Sequence, residues 1–163
     1  MRIGQGYDAH RYADDDRDLV LGGVQFLGER GLHGHSDADV VAHAVIDALL
    51  GAAGLGDIGM HFPDTDPMFA GADSIELLRR TAMAVRAAGY RPVNVDCTVI
   101  ADRPRISTRR EEMQRILSEA AGVPVTVCGK TTEGIGALGR GEGVVGLAVA
   151  LVDEIDGTEG NGS

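Results

Sequence analysis

The sequence predicts an α+β domain, one sheet with helices packed on a single face. Three observations lead there. Strand-like segments occur at both ends of the chain, three segments between them carry helical spacing and capping residues, and too few helices remain to cover both sides of a sheet. The uncovered face favours self-association into a closed ring.

Residues 1–10, MRIGQGYDAH, read as a strand, in which residues i and i+2 share a face, so Asp8 and His10 point the same way. An acidic loop over 14–18 leads to a short strand at 19–21, ended by Gly22 and Gly23, and the segment predicts a hairpin or meander. The run GHSDADVVAHAVIDALLG at 34–51 predicts a helix, with Ser36 as N-cap and Asp39 completing a capping box. Its apolar positions are Val40, Val41, Ala44, Val45, Ala48 and Leu49, while His43 joins Asp39 and Asp47 in a polar stripe. GLGDIGMHFPDTDP at 54–67 is too rich in Gly, Pro and Asp for regular structure, and predicts a long loop.

Asp73 and Glu76 open a second helix that carries Ile75, Leu78, Ala82 and Val85 toward Gly89. Alternation over 93–101 predicts a strand that stops at Arg103-Pro104. Thr108 and Glu111 are placed to cap a third helix burying Met113, Ile116, Leu117 and Ala120, with Gly122 just beyond its end. Strands are expected over 123–129 and 144–152, separated by the loop KTTEGIGALGRGEG. Residues 1–153 form the single domain, and 154–163 are expected to be a disordered tail.

A formal charge of −10 argues against nucleic acid or a membrane surface as partner, since both favour basic patches. No apolar run approaches the ~20 residues of a membrane span, and no signal peptide is visible. Cys97 and Cys128 fall in strands without metal-like spacing, which suggests buried thiols in a reducing compartment, so a cytoplasmic location is expected. A chain of 163 residues buries enough surface to fold without a structural metal, so any metal has a functional role.

Asp8, His10 and His43 supply a carboxylate and two imidazoles, a donor set suited to Zn²⁺ with one position left open. The same spacing also arises by chance, and a lone helical His is often a hydrogen-bonded structural residue. Asp39 or Asp47 is placed to orient the second nitrogen of His43, or is simply solvated. His35 and Ser36 either donate to an anion at the helix start or form an ordinary cap. Asp57, Asp64 and Asp66 either accept from polyol hydroxyls or serve as turn residues. Lys130, Thr131, Thr132 and Glu133 follow a strand directly, as a phosphate and Mg²⁺ site requires, although a Thr-Thr pair at a strand end is unremarkable by itself. Lys130 is the only lysine; His33 and His61 have no evident partner and read as surface residues.

Several segments, in order along nearly the whole chain, resemble the 2-C-methyl-D-erythritol 2,4-cyclodiphosphate synthase family. They are GYDAHR at 6–11, HSDADV at 35–40, GDIGMHFPDTDP at 56–67, GADS at 71–74, and TTE with GRGEG within 131–143. The resemblance implies a mixed sheet of the bacillus chorismate mutase-like kind, packed around a threefold axis in a homotrimer with active sites between subunits. It implies conversion of 4-diphosphocytidyl-2-C-methyl-D-erythritol 2-phosphate to the cyclic diphosphate and CMP, a metal-dependent phosphorus–oxygen lyase reaction of the non-mevalonate isoprenoid pathway. By the motif match, Asp8, His10 and His43 hold Zn²⁺ or another divalent ion, and Glu133 helps hold Mg²⁺ or Mn²⁺ at the diphosphate. His35 and Thr131 match transition-state stabilisers, and Ser36 a substrate contact. Asp57, Ile58, Gly59, Phe62, Pro63, Asp64, Thr65 and Asp66 match the surroundings of the methylerythritol portion. Ala101, Asp102, Arg103, Pro104, Arg105, Ile106 and Ser107, with Lys130 and Thr132, match the cytidine and phosphate side, expected from the neighbouring subunit. Arg140 matches an arginine near the axis. Two departures stand out: Lys130 replaces the first of three threonines found in many members, and Ala137 stands where a Phe is common.

Overall fold

The computed structural model describes residues 1–155. Its strands are β1 (Arg2–Arg11), β2 (Asp18–Leu21), β3 (Val24–Arg30), β4 (Tyr90–Ile100), β5 (Val125–Lys130) and β6 (Gly143–Glu154). Three long helices, α1 (Val40–Ala53), α3 (Ser74–Ala87) and α4 (Arg110–Ala121), are joined by two single-turn helices, α2 (Ile58–His61) and α5 (Gly136–Gly139). The main sheet has the order β1-β6-β4-β5, antiparallel except for the parallel pair β4 and β5. The expected mixed α+β architecture is therefore present, with one addition, a separate β2–β3 hairpin.

The packing of α1 on β1 follows from glycine. A Cβ at Gly4 would fall 2.1 Å from the Ala48 carbonyl oxygen, and one at Gly6 would fall 1.9 Å from that of Ala44. Only hydrogen at these positions lets the helix backbone lie directly on the strand. Gly4, Gly6, Asp8 and His10 share one strand face, so the face that touches α1 continues onto the two polar side chains. On the opposite face Ile3, Tyr7 and Val149 are exposed, leaving an apolar sheet surface bare in the single chain.

Several local expectations are corrected. Helix α1 starts at Val40, and its N-cap is Asp39, not Ser36. Asp39 accepts from the amides of Val41 and Ala42 and also from those of Gly22 and Gly23, so it ties the β2–β3 turn to the helix start. A cap of this kind contributes about 1 kcal/mol. The polar stripe does not face solvent: Asp39 and His43 are buried, because the sheet and α3 enclose α1. The first strand forms no hairpin with the second; β1 pairs with β6 instead. The 54–67 loop contains α2, capped by Asp57, and ends at a turn of 3₁₀ helix (Pro67–Phe69) capped by Asp66.

Asp73 caps α3 as expected, but Arg109 occupies the N-cap of α4 without a side-chain bond, and the Thr108 hydroxyl donates to the Arg105 carbonyl. Gly122 ends α4 in the left-handed conformation expected of it. Cys97 is buried but Cys128 is exposed, since neighbouring β-strand positions face opposite ways. Strand β6 runs to Glu154 and the Ile155 amide donates to Gly89, so the ordered domain passes the expected boundary at 153. The remainder of the expected tail, 156–163, lies outside the described residues.

Candidate metal and phosphate site

Where β1 emerges from under α1, Asp8 and His10 meet His43 from the second turn of the helix. The Asp8 Oδ2 lies 2.9 Å from His43 Nδ1 and 3.0 Å from His10 Nε2, and the two nitrogens are 3.3 Å apart. One ligand atom from each residue thus falls within 4.8 Å of the others, a group able to hold a metal ion. The remaining imidazole nitrogens are engaged elsewhere. His10 Nδ1–H donates to the His33 carbonyl at 2.7 Å, which leaves Nε2 directed into the cluster. His43 Nε2 lies 2.9 Å from the Ser74 hydroxyl and 3.2 Å from that of Ser36. Two oriented imidazoles and a carboxylate, with a cavity on the open side, fit a tetrahedral ion with a free fourth position.

Burial pushes the Asp8 carboxyl upward, but hydrogen bonds and charge from His10 and His43 outweigh it and hold the group well below the usual carboxylate range. Burial lowers His10, yet its hydrogen bond and attraction to Asp8, with the His33 carbonyl, raise it above the ordinary histidine value.

The cluster opens into a cavity of about 720 Å³. Of the residues expected around it, His35, Ser36, Ile58, Gly59, Phe62 and Asp64 line the cavity with the triad, whereas Asp57, Pro63, Thr65 and Asp66 do not. Asp57 and Asp66 use their side chains as caps, and the Asp66 carbonyl lies 3.4 Å from His35 Nε2. His35 and Ser36 precede the helix rather than occupying its first turn, so the expected anion site at the α1 N-terminus is replaced by a loop site. Neither Asp39 nor Asp47 orients His43: Asp39 is the cap, and Asp47 accepts from the Ile58 amide. His33, Phe69 and Leu77 line the cavity without having been expected there. His61 is also partnered, donating from Nε2 to the Leu55 carbonyl.

A second group lies around the ends of β4 and β5. Ala101, Asp102, Pro104, Arg105, Ile106, Ser107, Lys130 and Thr131 line a cavity of about 360 Å³, joined by Arg110 and Gly129. Asp102 organises it by accepting from the Thr132 amide at 2.8 Å and from the Thr132 hydroxyl. Glu133 has φ +54°, in the left-handed region, and accepts from the Thr131 hydroxyl at 2.8 Å. Arg103 and Arg140 share a third hollow with Tyr12 and Arg30. Within one chain, Glu133 is not part of the Asp8, His10 and His43 cluster, and neither it nor Thr132 lines the cavity at the ends of β4 and β5, which is separate from the one beside the cluster.

The sequence profile of the YgbB family matches residues 1–153. The chain belongs to the YgbB family. A relative from Rubrobacter xylanophilus, named 2-C-methyl-D-erythritol 2,4-cyclodiphosphate synthase, is 55% identical over 162 residues, covering 96% of this chain and 98% of its own. A bifunctional enzyme IspD/IspF from Anaeromyxobacter is 57% identical over 155 residues, covering 93% of this chain; the matched region spans only 40% of that relative's length. Among solved structures, a Plasmodium falciparum IspF in complex with CDP superposes with a TM-score of 0.80 at 34% identity, covering 94% of this chain and 96% of that one. In the described part of this YgbB chain no helix is long and apolar enough to cross a membrane.

Proposed function

We propose that the chain is a 2-C-methyl-D-erythritol 2,4-cyclodiphosphate synthase, releasing CMP from 4-diphosphocytidyl-2-C-methyl-D-erythritol 2-phosphate in the non-mevalonate pathway. The observation that carries this reading is the Asp8, His10 and His43 cluster opening beside His35 and Ser36, in a chain matched over 96% of its length by a relative of that name. The reaction is a phosphorus–oxygen lyase step. A 2-phosphate oxygen forms a bond to the β-phosphorus, the bond from that phosphorus to the oxygen bridging to the α-phosphorus breaks, and CMP departs with the electron pair. The nucleophile is already ionised and tethered, so no general base is required; alignment and charge neutralisation do the catalytic work.

Asp8, His10 and His43 would hold Zn²⁺ or another divalent ion, which would supply positive charge at the diphosphate. Glu133 would help hold Mg²⁺ or Mn²⁺, which would supply positive charge at the diphosphate, and its left-handed backbone presents the carboxylate beside Thr131. His35 and Thr131 donate to oxygens that gain charge in the transition state, with Ser36 as a further contact. The 54–71 segment, through Ile58, Gly59, Phe62 and Asp64, surrounds the methylerythritol portion.

The separation of the two cavities supports a site assembled from two chains: the metal half from one protomer, and the Ala101–Ser107 and Lys130–Glu133 half from its neighbour. The bare face bearing Ile3, Tyr7 and Val149 supports a homotrimer with its sheets turned to a threefold axis. A cytoplasmic location accords with soluble substrates of this kind. A ³¹P NMR time course with substrate and Mg²⁺, before and after zinc chelation, tests the reading. Stoichiometric CMP and cyclic diphosphate are expected, with turnover lost on chelation and in His43→Ala. CMP with a linear bisphosphate identifies a hydrolase instead, and absence of turnover with retained CDP binding identifies a binding protein.

A further inference from the structure

Arg17, in the acidic loop between β1 and β2, crosses to the loop that carries His35. Its Nη1 donates to the Leu32 carbonyl at 3.3 Å and to the Gly34 carbonyl at 2.9 Å. These two carbonyls flank that of His33, which lies 2.7 Å from His10 Nδ1. One guanidinium nitrogen therefore grips the loop on both sides of the point where it meets the metal cluster. The contact is built into the sequence at two further places. Asp15 receives other N–H groups of the guanidinium, with Oδ1 3.1 Å from Nε and Oδ2 3.4 Å from Nη2. Gly31 makes room for the arginine: a Cβ there would fall 2.4 Å from the Arg17 carbonyl oxygen and 2.5 Å from its Cγ.

We infer that Arg17 is a positioning residue for His35. A peptide bond is planar, so fixing the Gly34 carbonyl also fixes the plane through which the chain enters His35. On the other side of that residue, the His35 carbonyl accepts from the Gly71 amide at 2.8 Å. With both flanking planes tied, the imidazole is held in the wall of the cavity beside the triad, where its Nε2 lies 3.4 Å from the Asp66 carbonyl. The role is one of geometry rather than charge, because Asp15 offsets the guanidinium charge at 3.1 Å. A planar fork of N–H donors holds a carboxylate and two carbonyls at once, which an ammonium on a flexible stem does not reproduce. The inference rests on the proposed reaction for its consequence, since it is there that His35 donates to an oxygen gaining charge; the hold on the loop does not depend on it.

Wild type, Arg17→Met and Arg17→Lys are compared by the single-turnover rate of CMP formation, by calorimetric titration with CDP, and by residue-resolved amide hydrogen exchange. Arg17→Met keeps a long stem against Gly31, and Arg17→Lys keeps the charge as well. Both variants are expected to lose about 10- to 100-fold in rate, as a misplacement on the order of 1 Å would cause, with CDP affinity unchanged. The His33 and Asp37 amides, which donate to the Arg11 and Ala72 carbonyls, are expected to exchange faster while those of α1 keep their rates. A wild-type rate in Arg17→Lys alone overturns the inference in favour of charge, and a wild-type rate in both variants removes any role for Arg17 in the reaction. Equal losses in rate and CDP affinity also overturn it, since they report a general loosening of the fold. If the wild type forms no CMP, the proposed reaction fails instead, and the exchange rates still decide the hold on the loop: faster exchange in Arg17→Met upholds it and unchanged exchange overturns it.

Discussion

Gly6 and Ala44 approach so closely that a Cβ on Gly6 would lie 1.9 Å from the Ala44 carbonyl oxygen. That contact sets how far α1 stands from β1, and so whether His43 reaches Asp8 at 2.9 Å. Gly6→Ala forces the helix outward against backbone rather than against a flexible side chain. Overpacking of this kind costs about 3 kcal/mol, and a shift of a few tenths of an ångström also opens the ligand triangle. Urea unfolding is expected to show the loss in stability, and zinc titration a lower affinity. Unchanged affinity in the folded variant would mean that the triad does not depend on this spacing.

Zinc binding should release protons. Asp8 lies below the ordinary carboxylate range and His10 above the ordinary histidine value of 6.5, so the metal-free cluster retains a proton that the ion must displace. Zinc affinity is therefore expected to rise with pH while His10 is protonated, by about tenfold per pH unit for each proton displaced, and to flatten above its raised pKa. Calorimetry in buffers of different ionisation enthalpy measures the proton count. The metal-free protein follows the linkage in the other sense. Stability from the raised His10 is fully present below 6.5 and lost as pH rises through its folded pKa; that from Asp8 is present above 3.8 and lost as pH falls through its depressed one. A pH-independent proton count of zero would contradict a proton held between Asp8 and His10.

Asp102 is the organiser of the nucleotide half, because one carboxylate receives both the amide and the hydroxyl of Thr132. Asp102→Ala frees the turn that carries Thr131 and Glu133. Water reaches the half-exposed Thr132, so the stability cost is expected to stay near 1 kcal/mol, while CDP binding weakens by about tenfold as the turn loses its preorganisation. Calorimetric titration with CDP and thermal unfolding separate the two effects. Equal CDP affinity in the variant would place Asp102 outside the binding function.

The two halves of the triad were legible separately, Asp8 and His10 by i, i+2 on a strand and His43 on a helix, but spacing alone left a chance pattern open and only the family resemblance joined them. The partner of His43 was not. Local spacing offered Asp39 and Asp47, four residues away, while the actual partner Ser74 lies 31 residues on and arrives through packing of α3 on α1. The helix start, read as Ser36, was misplaced for a related reason. Ser36 and Asp39 are both good caps, and Asp39 wins through tertiary bonds to Gly22 and Gly23. Those bonds belong to the β2–β3 hairpin, whose second strand the sequence pattern did not single out: Leu27, an apolar residue, is 81% exposed and blurs the alternation.

The proposed sharing of each site between subunits has a direct test. His43→Ala disables the metal half and Thr131→Ala the phosphate half, so each homotrimer is expected to be inactive. If a site takes one half from each of two neighbours, mixed trimers contain interfaces at which both halves are intact. Random assembly from equal amounts of the two variants gives roughly a quarter of interfaces that form, so activity should recover to about a quarter of wild type after co-refolding. Mixing the folded trimers without exchange should restore nothing, which controls for activation in trans. If the two halves belonged to the same chain, every site in the mixed trimers would carry one lesion, and co-refolding would leave the mixture as inactive as its components.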